Sequence, residues 1–257
     1  MAKEKLEIVS LEENKLQYKG KEFVIPQGWE ELTLPYLLGY AKALFEGIKP
    51  SEILQYILIY ATSIELPAKL TKKDKSEFLD VIGKASELLS FFLGEENNLR
   101  FGIIGKILGL ITPEKYLANL TAIEFVEANN YLNLFSTNNK IEDLNKLCAV
   151  LMRATCKNVR VDYSESQFTY SLKSVKNLPI CYKLAIMKMY EGELMGLSKR
   201  YPRAFEGGSS ENRFPYSFIT SMAGDKFGTT KQVEKENIHV LLDYINSEVK
   251  NLEKNSK

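Results

Sequence analysis

Apolar residues in this chain recur at intervals of three and four, segment after segment, and capping residues or prolines open many of those segments. This constrains the fold more than any other feature, because a stripe of that period is buried on one side only when the backbone is helical. After Thr33 and Pro35, Leu34, Leu37, Leu38, Ala41, Leu44 and Phe45 share a helix face. Ser51 heads a run carrying Ile53, Leu54, Ile57, Leu58 and Ala61, and a third run from about Lys73 to Leu93 carries Phe78, Ile82, Ala85, Leu89 and Phe92. Thr112-Pro113-Glu114 reads as a helix start, with proline at the first helical position. Thr121-Ala122-Ile123-Glu124 has capping-box spacing and precedes Phe125, Ala128, Tyr131 and Leu132. Further helices are predicted over Ile141–Met152, from Pro179 to about Lys199, and from about Lys231 to Leu252.

The first residues follow another rule. LEIVS (6–10) and KLQYKGKEFVI (15–25) alternate in part, with turn signals at Glu12-Glu13-Asn14 and Lys19-Gly20-Lys21 and a stop at Pro26. The expectation is a mainly α protein, a multi-helix globular body with a small N-terminal β-hairpin or meander. The expected division is a β element over 1–26, a helical body over 27–153, a polar β-like excursion over 154–177, and a C-terminal helical region over 178–257. A mobile loop is expected within the last, at 201–216, where Gly207-Gly208-Ser209-Ser210 supplies no core residue.

Composition excludes several classes. A chain of 257 residues with 45% hydrophobic and 26% charged residues can bury a core. Lys+Arg 34 against Asp+Glu 33 gives no basic excess for nucleic acid. Cys148, Cys156 and Cys181, an odd count without CxxC spacing, suit free thiols in a reducing compartment. The start, MAKEKLEIVS, has no apolar signal region, which points to cytosolic synthesis. The most apolar run, FGIIGKILGLIT (101–112), is far shorter than the roughly 20 residues a membrane helix needs and reads as a closely packed buried helix.

No catalytic, cofactor or metal residue is assigned. Gly224 to Thr230 lacks the lysine of a phosphate-binding loop and reads as a turn leading into a cap. His239 is the only histidine, which removes two-histidine metal sites, and its surroundings suit a half-buried helix position. Glu30 and Glu31 fit the positive end of a helix dipole better than acid–base work. Partner-binding candidates are aromatic. Trp29 sits in a polar break, where it either fastens the β segment to the helices or docks a partner. Phe205, Phe214 and Tyr216 flank the Gly/Ser-rich stretch and are expected to anchor a loop that orders on a partner, although Phe205 equally suits closing its helix against the body.

The segments IPQGWEELTLPYLL, LTAIEFVEANNYLNLF, LCAVLMRATCK, LPICYKLAIMKMYEGELMGLSKRYPRAF and SMAGDKFGTTKQVEKENIHVLLDYIN together resemble small proteins from the tail modules of tailed bacteriophages. Such proteins are described as tail assembly chaperones or minor tail and baseplate components. The resemblance implies a helical, non-enzymatic protein whose partners are other tail or virion proteins, or further copies of itself. It also implies a place in the bacterial host cytoplasm during assembly, or in the finished particle. Two other classes stay open: a general bacterial interaction or adaptor protein, and an enzyme whose site is assembled from scattered residues. A defined polar pocket with perturbed carboxylates or thiols would favour the enzyme.

Overall fold

The computed structural model describes residues 9–65, 71–94, 97–157, 159–206 and 214–255. The protein is mainly α, with a small three-stranded sheet at its N-terminal end and a second small sheet later in the chain. It divides into two compact units, Met1–Asn97 and Asn98–Lys257. That boundary falls inside the stretch 27–153 expected to form one helical body.

In the first unit, β1 (Val9–Glu12), β2 (Lys15–Tyr18) and β3 (Lys21–Val24) form an antiparallel meander. Residues 6–8 of the predicted run lie outside the described residues. Leu16 and Tyr18 face the core while Lys15 is exposed, as a two-residue period requires. A tight 3-10 turn, Trp29–Glu31, leads into α1 (Leu34–Phe45), with Thr33 at its N-cap position and Pro35 in its first turn. α2 (Pro50–Thr62) starts on Pro50, one residue before the predicted capping serine. The helices touch closely at Gly39, where a Cβ would lie 3.1 Å from the Tyr60 ring and 3.2 Å from the Ile57 carbonyl oxygen. α3 (Lys72–Glu87) is capped by Thr71, whose hydroxyl accepts from the Asp74 N–H at 3.2 Å. The helix predicted to reach Leu93 ends at Glu87, and a 3-10 segment, Ser90–Leu93, follows.

The second unit departs further from the sequence pattern. Phe101–Thr112, expected as a buried helix, is a turn followed by a hairpin of β4 (Lys106–Ile107) and β5 (Leu110–Ile111). Leu108 and Gly109 both adopt positive φ, 51° and 77°, the tight two-residue turn that matches strand twist. β6 (Arg153–Cys156) and β7 (Val159–Arg160) continue the sheet in the order β4-β5-β6-β7. Thr112 does not start a helix: its hydroxyl donates to the Ile104 carbonyl at 2.8 Å, and only a 3-10 turn, Lys115–Leu117, forms. The residues 154–177 expected as an excursion hold that β6–β7 hairpin and then α6 (Glu165–Lys176), capped by the Ser164 hydroxyl.

The other helices are α4 (Ala122–Asn138), α5 (Ile141–Leu151), α7 (Ile180–Arg200), α8 (Pro202–Phe205), α9 (Tyr216–Met222), α10 (Thr230–Lys235) and α11 (Ile238–Asn255). The predicted last helix is broken at Glu236-Asn237. There the chain turns to pair with the start of α4: Ala122 N–H donates to Glu236 O at 2.9 Å and Ile238 N–H to Leu120 O at 3.1 Å. Tyr190 on α7 is fully buried, and its hydroxyl donates to the Phe125 carbonyl at 3.4 Å. No described helix is long and apolar enough to cross a membrane.

The loop expected at 201–216 begins and ends in structure. α8 occupies Pro202–Phe205, and α9 starts at Tyr216. The Gly207–Ser210 stretch lies outside the described residues. Phe214 is buried, with ring centroids of Phe125, Phe205 and Phe218 at 5.1, 5.0 and 5.3 Å. Tyr216 is half exposed, and its hydroxyl donates to Glu234. Phe214→Ala should therefore lower stability by about 3 kcal/mol through a core cavity, against less than about 1 kcal/mol for Tyr216→Ala. Urea unfolding followed by circular dichroism reads both. Equal midpoint shifts would contradict this division.

Candidate functional site

The Thr121–Glu124 capping box builds the centre of the site. The Thr121 N–H and hydroxyl both donate to Glu124 Oε2, at 2.9 and 2.8 Å, which satisfies donors that the first turn of α4 leaves open. The other carboxylate oxygen, Oε1, takes two guanidinium groups: Arg153 at 2.7 Å and Arg160 at 3.2 Å. Glu124 has no exposed surface, and each arginine side chain is only 4% exposed. The β6–β7 hairpin delivers the two arginines from its outer ends. Arg160 also donates to the Leu151 carbonyl at 2.8 Å and to Asn119 O and Oδ1 at 3.3 Å.

Two buried cations thus share one buried anion. Burial pulls the Arg153 guanidinium below its ordinary range and Arg160 down to about 10, with Glu124 opposing both shifts. The Nε–H groups of both arginines are buried and have no hydrogen-bond partner among the described residues. One turn along α4, Glu127 accepts from the Tyr163 hydroxyl. Burial holds the Glu127 carboxyl above its usual range, and burial also raises the Tyr163 phenol. The Arg153 guanidinium carbon lies 6.0 Å from the centre of the Tyr163 ring.

A cavity of about 540 Å³ opens beside this cluster. Its cationic lining is Arg153, Arg160 and Lys235, and its anionic lining is Glu114, Asp162 and Glu234. Ile111, Ile123 and Val159 give it an apolar side, and Thr112, Thr121 and Tyr163 contribute hydroxyls. Arg153 is buried, whereas Glu114, Asp162 and Lys235 are exposed. The volume falls within the range of small-molecule sites. The lining has no cysteine, serine or histidine.

A second network fixes the loop before α4. Glu193 on α7 is 1% exposed and accepts from Phe101 N–H at 2.9 Å and Tyr116 N–H at 3.0 Å, with Arg100 Nε at 3.8 Å. Burial raises its carboxyl, and those donors work the other way. Tyr116 and Leu117 hold left-handed φ values of 61° and 56°. His239 binds the same loop through Nε2, 2.7 Å from the Tyr116 carbonyl oxygen, and Tyr201 OH lies 2.9 Å from Nδ1. A carbonyl only accepts, so Nε2 carries the proton, and in the neutral ring Nδ1 accepts from Tyr201. Burial, with the nearby Arg200 charge, lowers the imidazole below 6.5 although the Tyr116 carbonyl favours the charged form.

The structure scatters the sequence-predicted partner residues. Trp29 is half-buried in the first unit, with ring centroids of Phe91, Phe92 and Tyr40 at 5.1, 5.2 and 6.3 Å. Phe205 and Phe214 pack on each other in the second, with Phe205 half exposed and Phe214 buried. Of the charged cluster, Glu124 was legible in sequence only as a cap, and Arg153 and Arg160 were not singled out. Their signal is faint: two arginines at the ends of a short β-like run. Cys148 is buried, and its thiol is pushed up to about 12 by that burial.

Two outcomes follow. Glu124→Gln leaves two buried guanidiniums without a counter-charge and should lower stability by about 3–5 kcal/mol, read by chemical denaturation. His239 is depressed in the folded state, so the unfolded chain binds the extra proton, and stability falls as pH drops through 6.5. The raised carboxyls Glu127 and Glu193 act in the opposite sense above 4.5. The test is accordingly the difference between the wild-type chain and His239→Gln. Its acid-dependent part should vanish in the variant, and identical pH profiles would refute the assignment.

Comparison with protein-family models, with curated proteins and with solved structures returned no match for this chain.

Proposed function

We propose that the chain is a non-enzymatic structural or assembly protein of a phage or phage-like tail apparatus, acting through contacts with other tail or virion proteins. The observation that carries this reading is the series of segments resembling tail-module proteins, from IPQGWEELTLPYLL to the closing SMAGDKFGTTKQVEKENIHVLLDYIN. Physical features support a contact role. Large apolar side chains stand more than half exposed in both units, among them Phe45 in the first and Val159 and Leu252 in the second. Such side chains are accessible to a partner surface.

One observation favours a second reading, the enzyme assembled from scattered residues: the cavity is lined by Tyr163, whose hydroxyl donates to Glu127, a carboxyl raised by burial. Disrupting the gene in a phage that encodes this chain separates the two. The tail reading expects heads without tails under the electron microscope, restored by the wild-type chain and equally by the cavity variant Asp162→Asn/Glu234→Gln. Normal tails after disruption would sink it. Rescue by the wild type but not by the cavity variant would shift the reading to the cavity.

A further inference from the structure

The cavity between the β6–β7 hairpin, the start of α4 and α10 carries an assignment beyond the tail reading. Three observations bear on its ligand. Two guanidiniums, each 4% exposed, share the single buried carboxylate of Glu124. Each guanidinium has five N–H donors in a fork suited to carboxylates, and both arginines line the cavity, with their Nε atoms buried inside the wall. The inner wall therefore has cationic donors in excess of buried acceptors. The exposed part has the opposite character, with Glu114 and Asp162 there and half-buried Glu234 nearby, against Lys235 alone.

This distribution discriminates among ligands. A divalent cation would meet the arginines, and a phosphate dianion would meet three carboxylates. Neither sign alone fits both parts of the wall. A molecule with an anionic and a cationic end fits, provided the anionic end goes inward. The apolar side, Ile111, Ile123 and Val159, leaves room for a hydrocarbon portion within about 540 Å³.

We propose that this cavity binds a small zwitterion of the α-amino-acid type, its carboxylate toward Arg153 and Arg160 and its ammonium toward Glu114, Asp162 and Glu234. Its side chain lies along Ile111, Ile123 and Val159. The site is an attribute of the second unit and stands whether or not the chain belongs to a tail.

The test uses the full chain, purified, with L-leucine and L-lysine as probes. N-acetyl and C-amide forms of each are the controls, along with acetate and inorganic phosphate. Thermal shift and titration calorimetry give the readouts. At least one free amino acid should raise Tm, and blocking either charged end should weaken binding by roughly tenfold, the loss of one charge-assisted contact. Asp162→Asn/Glu234→Gln alters exposed and half-exposed positions and should fold normally while weakening the zwitterion by a similar factor. Arg153→Lys tests the inner wall, and should it fail to fold, the outer pair still decides. The inference is overturned if neither amino acid binds at millimolar concentration. It is equally overturned if the blocked forms or phosphate bind as well as the parents, or if the outer pair leaves affinity unchanged. Tail loss on gene disruption together with no binding would remove this inference alone. Binding by a chain whose loss leaves tails intact would remove the tail reading alone.

Discussion

A carboxylate with no exposed surface, shared by a helix N-terminus and two arginines, organises the second unit. Glu124 accepts four donors from three places: Thr121 twice, Arg153 from the start of β6 and Arg160 from the end of β7. Desolvating such groups is costly, and the cost is offset only when the pairing geometry is good. That requirement fixes the hairpin against α4 in one register, because a shift of one residue would turn both arginines to the other face of the strand. Arg160 extends the tie through the Leu151 and Asn119 carbonyls, so the end of α5 and the turn before α4 are held to the same point.

The neighbouring loop depends on a second buried carboxylate in the same way. Tyr116 and Leu117 occupy left-handed backbone conformations that a side chain with a Cβ disfavours by roughly 1–2 kcal/mol each. Glu193 and His239 hold the two sides of Tyr116, one accepting from its N–H and the other donating to its carbonyl. The strain persists because contacts from α7 and α11 over-determine that peptide. The sole histidine thus serves as a hydrogen-bond bridge, which explains a half-buried ring on a helix whose inner face is Ile238, Leu241 and Leu242.

Local rules made most helices readable in the sequence. Pro35, Thr121 and Pro179 mark starts that the structure keeps, because a cap or a helix-initiating proline acts within one turn. Residues 101–112 misled because a short apolar run fits a buried helix or a buried hairpin equally, and the Leu108–Gly109 turn decided it. α6 was missed because Phe168, Tyr170 and Val175 read as strand formers in a polar context, while packing against α5 determined the outcome. The burial of Phe214 was illegible for a related reason: its neighbour Phe125 lies far away in the chain, and proximity to glycines says nothing about that contact. The charged cluster was least legible. Arg160 and Glu124 are 36 residues apart, and no local pattern marks a pair that only a hairpin and a helix turn bring together.

The same ties bear on how the cavity behaves. Its walls come from β5 and the loop after it, the β6–β7 hairpin, the first turn of α4 and α10, and the last three are fastened independently of any ligand. The hairpin is held by Glu124. α10 is capped by Thr229 and Gln232 and joined to α4 through the backbone bonds at Glu236 and Ile238. Even Tyr163, the largest side chain in the lining, is fixed through its hydroxyl to Glu127. A cavity with walls held this way keeps its shape when empty, so a ligand entering it orders few side chains and loses little of its interaction energy to that ordering. Charge excess and rigidity therefore share one origin, the decision to bury two arginines on a single glutamate.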